Sequence, residues 1–137
     1  MKDFDCIFCK ITEKKIPSNI IFENDLVLAF LDISPISKGH MIVIPKNHYS
    51  TLEDIPNHEL AEVYYIVKKV SIKLHQKLQI DGYNVLQNNF KAAGQVVNHF
   101  HVHIIPRSFN DQKFRIEIPR SQAKQEELNE VFAILKF

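Results

Sequence analysis

The chain is expected to fold as α+β, with a five-stranded antiparallel sheet carrying one long helix and short N- and C-terminal helices. Three observations lead there. Five short runs rich in β-branched and aromatic residues lie between turn residues, one long stretch has helical periodicity, and strands do not alternate with helices as parallel βαβ units require. With 137 residues, 45% of them hydrophobic, a single domain spanning 1–137 can bury a core.

Residues 4 to 14 mix apolar and polar positions around Cys6-Ile7-Phe8-Cys9, which reads as one or two helical turns closed by Ile16-Pro17-Ser18. Ile20-Ile21-Phe22-Glu23 and Val27-Leu28-Ala29-Phe30-Leu31 flank the turn pair Asn24-Asp25 and predict a hairpin. Asp32-Ile33-Ser34-Pro35 breaks the chain. After Gly39, the run Met41-Ile42-Val43-Ile44 up to Pro45 reads as a strand buried on both faces. Leu60, Val63, Tyr64, Val67, Val70, Leu74 and Leu78 step by three and four, with Glu62, Lys68, Lys69, Lys73 and Lys77 opposite, so one amphipathic helix packs on the sheet. It stops before Asp81-Gly82. Tyr83 to Gln87 gives a fourth strand, residues 88 to 98 a polar loop with Gly94, and His99 to Ile105 a fifth strand ended by Pro106. A basic irregular stretch with Arg107, Lys113, Arg115 and Arg120 precedes a last helix from Ser121 to Leu135, for which Ser121 is the expected N-cap.

Seventeen Lys and Arg against 16 Asp and Glu leave a net charge of +1, which removes a global electrostatic case for nucleic acid or an anionic membrane. Three glycines and six prolines exclude collagen-like and disordered classes. The start Met1-Lys2-Asp3-Phe4-Asp5 lacks the apolar region of a secretion signal, and no run approaches the ~18 apolar residues of a membrane span. Cys6 and Cys9 are the only cysteines, which is no disulfide framework; a reducing cytoplasm fits.

Most of the functional information sits in His99-Phe100-His101-Val102-His103-Ile104-Ile105-Pro106. On a strand His99, His101 and His103 share one face while Phe100, Val102 and Ile104 face the core. At ~3.3 Å per residue the outer two α-carbons lie roughly 13 Å apart, too far for all three to share a metal with bonds near ~2 Å. Neutral imidazoles with an ordinary pKa of about 6.5 can instead supply a nucleophile and a proton donor. A histidine stripe without chemistry is the competing reading.

This motif resembles the signature of the histidine triad (HIT) proteins, nucleotide hydrolases and transferases that work through a covalent nucleotidyl-histidine. The resemblance continues in order through Cys6-Ile7-Phe8-Cys9-Lys10-Ile11, Ile16-Pro17, Phe22-Glu23, residues 29 to 35, Gly39-His40, Val43 to Lys46, His48, Asn88 and Gly94-Gln95. It covers residues 4 to 107, beyond which the C-terminal segment, 107–137, is variable. It implies the HIT-like fold, with the bacterial zinc-containing branch as the nearest match.

The resemblance makes His101 the nucleophile at the α-phosphorus, with His103 and His40 on phosphoryl oxygens or the departing group. The carbonyl of His99 would hold the other ring nitrogen of His101. Asn88 and the backbone around Gly94, Gln95 and Val97 would meet phosphate. Asp32 would accept from the ribose hydroxyls, and Ile7, Phe8, Ile16, Phe30 and Ile33 would line the base cleft. From the residues alone, Asp32 could equally organise a turn and the apolar five could be plain core. The family's transferases carry glutamine at the third histidine; His103 therefore points to hydrolysis. Val96 stands where some members have a serine that assists the leaving group, which bears on efficiency with phosphoramidates.

Cys6, Cys9, His48 and His99 would make a Cys2His2 set, the ligand chemistry of a structural zinc site that bacterial members of the family use. Two inert thiols, or a redox pair, are the alternatives. Family habit further implies a homodimer joined through the long helix and the fourth strand. The expected activity is hydrolysis of nucleoside 5′-phosphoramidates or adenylylated compounds, purine-leaning; dinucleoside polyphosphate hydrolysis, or a nucleotide-binding or protein-interaction module with incidental turnover, are the alternatives.

Overall fold

A computed structural model describes residues 3–114 and 117–137. The elements run α1 (Ile7–Thr12), β1 (Ile20–Glu23), β2 (Val27–Leu31), β3 (Met41–Pro45), α2 (Asn57–Leu78), β4 (Gly82–Gln87), a 3-10 turn (Lys91–Ala93), β5 (Val102–Arg107) and α3 (Gln125–Leu135). The five strands form one sheet in the order β1-β2-β3-β5-β4, with every neighbouring pair antiparallel. Asn24 closes the β1–β2 hairpin: its Oδ1 accepts from the amides of Leu26 and Val27 at 2.9 and 2.8 Å.

The pleat separates the two faces of the sheet. Val27, Ala29, Met41, Val43, Val102 and Ile104 pack under α2 with its Val63, Ile66, Val67, Val70 and Leu74. Leu28, Phe30, Ile42 and Ile44 point the other way and pack with Phe8 and Ile11 of α1. So β2 and β3 are buried on both sides, as their unbroken apolar runs predict.

Four boundaries differ from the sequence reading. The ladder of β5 begins at Val102 rather than His99, because the preceding residues spend their polar groups elsewhere: the Phe100 amide donates to the Tyr49 carbonyl at 2.6 Å, and the His99 carbonyl accepts from a ring. Pro106 lies inside β5, opposite Tyr83, rather than ending it. The β3 ladder has stopped by there, and the Pro106 carbonyl accepts from the Ser37 hydroxyl at 2.7 Å, so the missing N–H interrupts no pairing. Helix α2 starts at Asn57, after Pro56, with Glu59 in its first turn. Helix α3 starts at Gln125, and its N-cap is Lys124; Ser121 sits four residues upstream in irregular chain and does not cap it. Arg107 is held by Asp111, Asn84 and the Phe114 carbonyl, and Arg115 falls outside the described residues. No helix among the described residues is long and apolar enough to cross a membrane.

Candidate active site and metal centre

The face of the sheet covered by α1 carries His101 and His103, and the loop after β2 brings Asp32 and His40 beside them. A cleft of about 520 Å³ opens there. Ile7, Phe8, Ile16, Phe30 and Ile33 form its apolar wall, Asp32, His101 and His103 its polar end, and Gly94, Val96 and Val97 its third side. Apart from Asp32, among the described lining residues there is no charged side chain, and none is Lys or Arg.

The hydrogen bonds fix which ring nitrogens carry protons. His101 Nδ1 lies 2.6 Å from the His99 carbonyl, an acceptor only, so Nδ1 holds the proton and Nε2 keeps its lone pair. Burial pushes the His101 imidazole below its usual range, partly countered by that carbonyl and by Asp32, so it is neutral near pH 7. The Ile36 amide donates to His40 Nδ1 at 3.0 Å, which forces the proton of neutral His40 onto Nε2. That Nε2–H points at His103 Nδ1, 2.9 Å away, and so leaves the proton of His103 on its Nε2. Burial lowers His40 as well, and pushes His103 down to about 4 with help from neighbouring His101 and His40. A one-way chain of donors therefore runs from the Ile36 amide to His103 Nε2–H.

Asp32 organises a turn and also lines the cleft. Its Oδ1 accepts from the Ser34 amide at 2.8 Å, organising the turn, while Oδ2 lies 3.7 Å from His40 Nε2 at the cleft. Asp32, His40 and His103 bring three ligand atoms together. The proton that Ile36 fixes on His40 Nε2 blocks the lone pair a metal would need, so this group is a hydrogen-bond chain.

Around Gly94 the structure narrows the sequence reading. The Gly94 and Gln95 amides are engaged by the Lys91 and Phe90 carbonyls. The Gln95 side chain is buried, accepting from the Phe90 amide and donating to the carbonyls of Ser50 and Val97. Gln95 thus braces the loop. Gly94 has a φ of 92°, and a Cβ there would sit 3.8 Å from Asn88 Nδ2, which places Asn88 against this turn.

Behind the wall, Cys6, Cys9, His48 and His99 bring one ligand atom each within 4.8 Å of one another. Cys6 Sγ lies 3.4 Å from His99 Nδ1, and Cys9 Sγ lies 3.5 and 3.6 Å from the Nδ1 atoms of His48 and His99. A tetrahedral zinc with bonds of ~2.3 Å to sulfur and ~2.05 Å to nitrogen has an S···N edge of ~3.6 Å. The donor set fits. His99 Nε2 donates to the Pro45 carbonyl at 2.8 Å, which turns its Nδ1 lone pair toward the thiols. Burial lowers His99 to about 4 and raises the Cys9 thiol, so the imidazole is neutral and a cation is the partner that would ionise the sulfur. The residues flanking His48 are anchored too, since Asn47 and Tyr49 both donate to Glu59 Oε1.

Some participants leave no trace in sequence periodicity. The Ile36 amide and the Pro45 carbonyl act through backbone atoms. Ser18 lines the cleft with a buried hydroxyl that has no hydrogen-bond partner among the described residues. Only the turn signal of Ile16-Pro17-Ser18 marked its neighbourhood.

A histidine row over an apolar cleft, with a thiol–imidazole cluster behind it, defines a class that comparison with known proteins identifies. A family model for the HIT domain matches residues 13–110. A HIT-like protein of Methanocaldococcus jannaschii is 44% identical over 131 residues, which are 96% of this chain and 98% of that protein. An adenosine 5′-monophosphoramidase of Schizosaccharomyces pombe is 41% identical over 123 residues, 90% of each chain. The crystal structure of a zinc-bound histidine triad family protein from Mycobacterium smegmatis superposes with a TM-score of 0.76 at 32% identity, covering 96% of this chain and 95% of that one. The chain belongs to the histidine triad (HIT) family.

Proposed function

We propose that this protein hydrolyses nucleoside 5′-phosphoramidates or related adenylylated compounds through a covalent nucleotidyl intermediate on His101. The observation that carries the reading is the 2.6 Å bond from His101 Nδ1 to the His99 carbonyl, which leaves a neutral imidazole with its Nε2 lone pair unprotonated at the cleft. Nε2 attacks the α-phosphorus as the bond to the departing nitrogen breaks and that nitrogen takes a proton to leave as the amine; water then attacks the phosphorus, the bond to Nε2 breaks, and the water's proton is released with the nucleoside monophosphate. His103 Nε2–H, held by His40, hydrogen-bonds the departing atom or a phosphoryl oxygen. Asn88 and the amides of Val96 and Val97 complete the phosphate side, with Gly94 and Gln95 shaping the loop. Asp32 accepts from the ribose hydroxyls, and the apolar wall of Ile7, Phe8, Ile16, Phe30 and Ile33 takes the base, with a leaning to purines.

The charge inventory favours this substrate class over dinucleoside polyphosphates. A polyphosphate chain brings several negative charges, whereas among the described residues the cleft offers neutral imidazoles, one carboxylate and no Lys or Arg. A nucleoside 5′-phosphoramidate, with one ester and one amide on phosphorus, carries a single negative charge. The likeness to an adenosine 5′-monophosphoramidase supports the same choice.

The Cys6, Cys9, His48 and His99 set would hold a structural zinc, supported by its donor geometry and by the zinc-bound relative. With four protein ligands it leaves no position for a substrate, so its contribution is to fix residues. The exposed Tyr64, Tyr65 and Ile72 on α2 and Tyr83, Val85 and Leu86 on β4 support the homodimer through those elements. The protein would work in the cytoplasm.

The test is to mix the enzyme with a fluorogenic adenosine phosphoramidate and, separately, with a diadenosine polyphosphate, quench in acid and weigh the protein. A mass gain of one AMP, absent in His101→Ala, is expected, with the phosphoramidate the faster substrate. AMP binding without adduct or turnover would instead mark a nucleotide-binding module.

A further inference from the structure

Helix α1 faces two ways. Cys6 at its N-cap and Cys9 in its first turn look toward His48 and His99, while Ile7 and Phe8 between them line the cleft. The Phe8 ring meets His101 edge-on at 5.2 Å, His99 at 5.9 Å and Phe30 at 5.7 Å. One residue therefore touches the nucleophile, a metal-ligating imidazole and the base wall together.

This helix has little order of its own. It is six residues long and has no side-chain cap, well below the length at which a helix persists alone. What holds it is Phe8 and Ile11 against Leu28, Phe30, Ile42 and Ile44, together with the thiols at its start. Ile7 contributes little to that packing because it is 46% exposed on the cleft side. Without a cation, what joins the thiols to the imidazoles is weak sulfur–nitrogen contacts, the two rings themselves meeting edge-on at 5.0 Å and His99 being held from behind by the Pro45 carbonyl.

We propose that zinc and nucleotide bind with positive coupling through α1: the metal on Cys6, Cys9, His48 and His99 fixes the Ile7–Phe8 wall, and a base against that wall steadies the metal's ligands. Phe8 is the positioning residue that joins the two sites. The proposal rests on the nucleotide reading of the cleft. Linkage makes the effect reciprocal, so the factor by which zinc tightens AMP equals the factor by which AMP tightens zinc.

Two measurements on the full chain test it. In the first, zinc affinity is read by chelator competition from loaded protein, with and without saturating AMP, against a protein-free blank that corrects for zinc held by AMP itself. In the second, AMP affinity is read by calorimetry on loaded and stripped protein. The expected result is about a tenfold change of the same size in both, within the usual range of coupling between sites. Ile7→Ala, on the exposed side of the wall, and Phe8→Leu, at the ring that joins the two sites, should each shrink the effect of saturating AMP on zinc affinity. Zinc affinity unmoved by bound AMP overturns the proposal and leaves the nucleotide reading standing. A full-sized effect in both Ile7→Ala and Phe8→Leu overturns the route through the wall. A chain that binds no AMP in either state overturns both the proposal and the reading beneath it.

Discussion

The donor chain from Ile36 to His103 makes a prediction that does not depend on knowing the substrate. His103 is held near 4, chiefly by burial, while in the unfolded chain it titrates near its ordinary 6.5. The unfolded state therefore binds the proton first as pH falls. Stability contributed by the neutral imidazole is complete above about pH 6.5 and is lost as pH drops toward 4. At pH 5 the difference amounts to about 2 kcal/mol relative to pH 8, since the unfolded chain is by then almost fully protonated at this site and the folded one barely so. His103→Gln keeps a neutral polar side chain of similar size and removes the titration. Urea unfolding of both proteins at pH 8 and pH 5 gives the comparison: the wild type should lose about 2 kcal/mol more than the variant between the two. Contributions from other histidines appear in both proteins and cancel to first order. Equal losses would refute the argument, as would a His103 ring that titrates near 6.5 in nitrogen-15 NMR or carries its proton on Nδ1.

His101→Gly should lower turnover about a thousandfold or more while AMP affinity stays within a few-fold, as calorimetry on the variant will show. Metal analysis of protein purified without chelator should find zinc with Cys6, Cys9, His48 and His99. At a thousandfold excess over its Kd, stripping it should cost about 4 kcal/mol, roughly 15 °C in Tm by scanning calorimetry. Asp32→Asn keeps the acceptor for the Ser34 amide but loses the charge toward ribose; KM should rise about tenfold or more for ribonucleotides and much less for 2′-deoxy analogues. Gly39→Ala forces a residue with a φ of 91° to carry a Cβ 2.6 Å from Leu78 Cδ1, and should shift the urea midpoint by about 1–3 kcal/mol of stability.

Why the strands could be read in advance is plain from β2 and β3. Both faces of each are buried, so nearly every residue is apolar and β-branched or aromatic, and no helical period competes. Helix α2 announced itself because its single buried stripe repeats for six turns. The misplaced boundaries share a cause. His99 has strand composition, but its carbonyl and ring are committed to His101, Pro45 and the thiols, and that commitment depends on segments more than fifty residues away. Ser121 has the chemistry of a cap without a helix start next to it. In the site, side chains were legible and backbone atoms were not: a histidine marks its position in the sequence, whereas the Ile36 amide and the Pro45 carbonyl look like any others until the chain has folded.

Strand β5 and its approach are read on both sides at once, with imidazoles at 101 and 103 toward the cleft and Phe100, Val102 and Ile104 sealed under α2. The two sets are interleaved one residue apart. A single-residue insertion or deletion between Phe100 and Ile104 would exchange them, driving polar rings into the apolar layer and bulky hydrocarbon into the cleft. This stretch should therefore tolerate conservative replacement on either side while rejecting any change of length. A gain or loss of two residues would preserve the alternation yet displace His101 from its carbonyl. Length variation within the lineage of this protein should then accumulate elsewhere, most readily beyond residue 117, where α3 has no buried residue to keep in register.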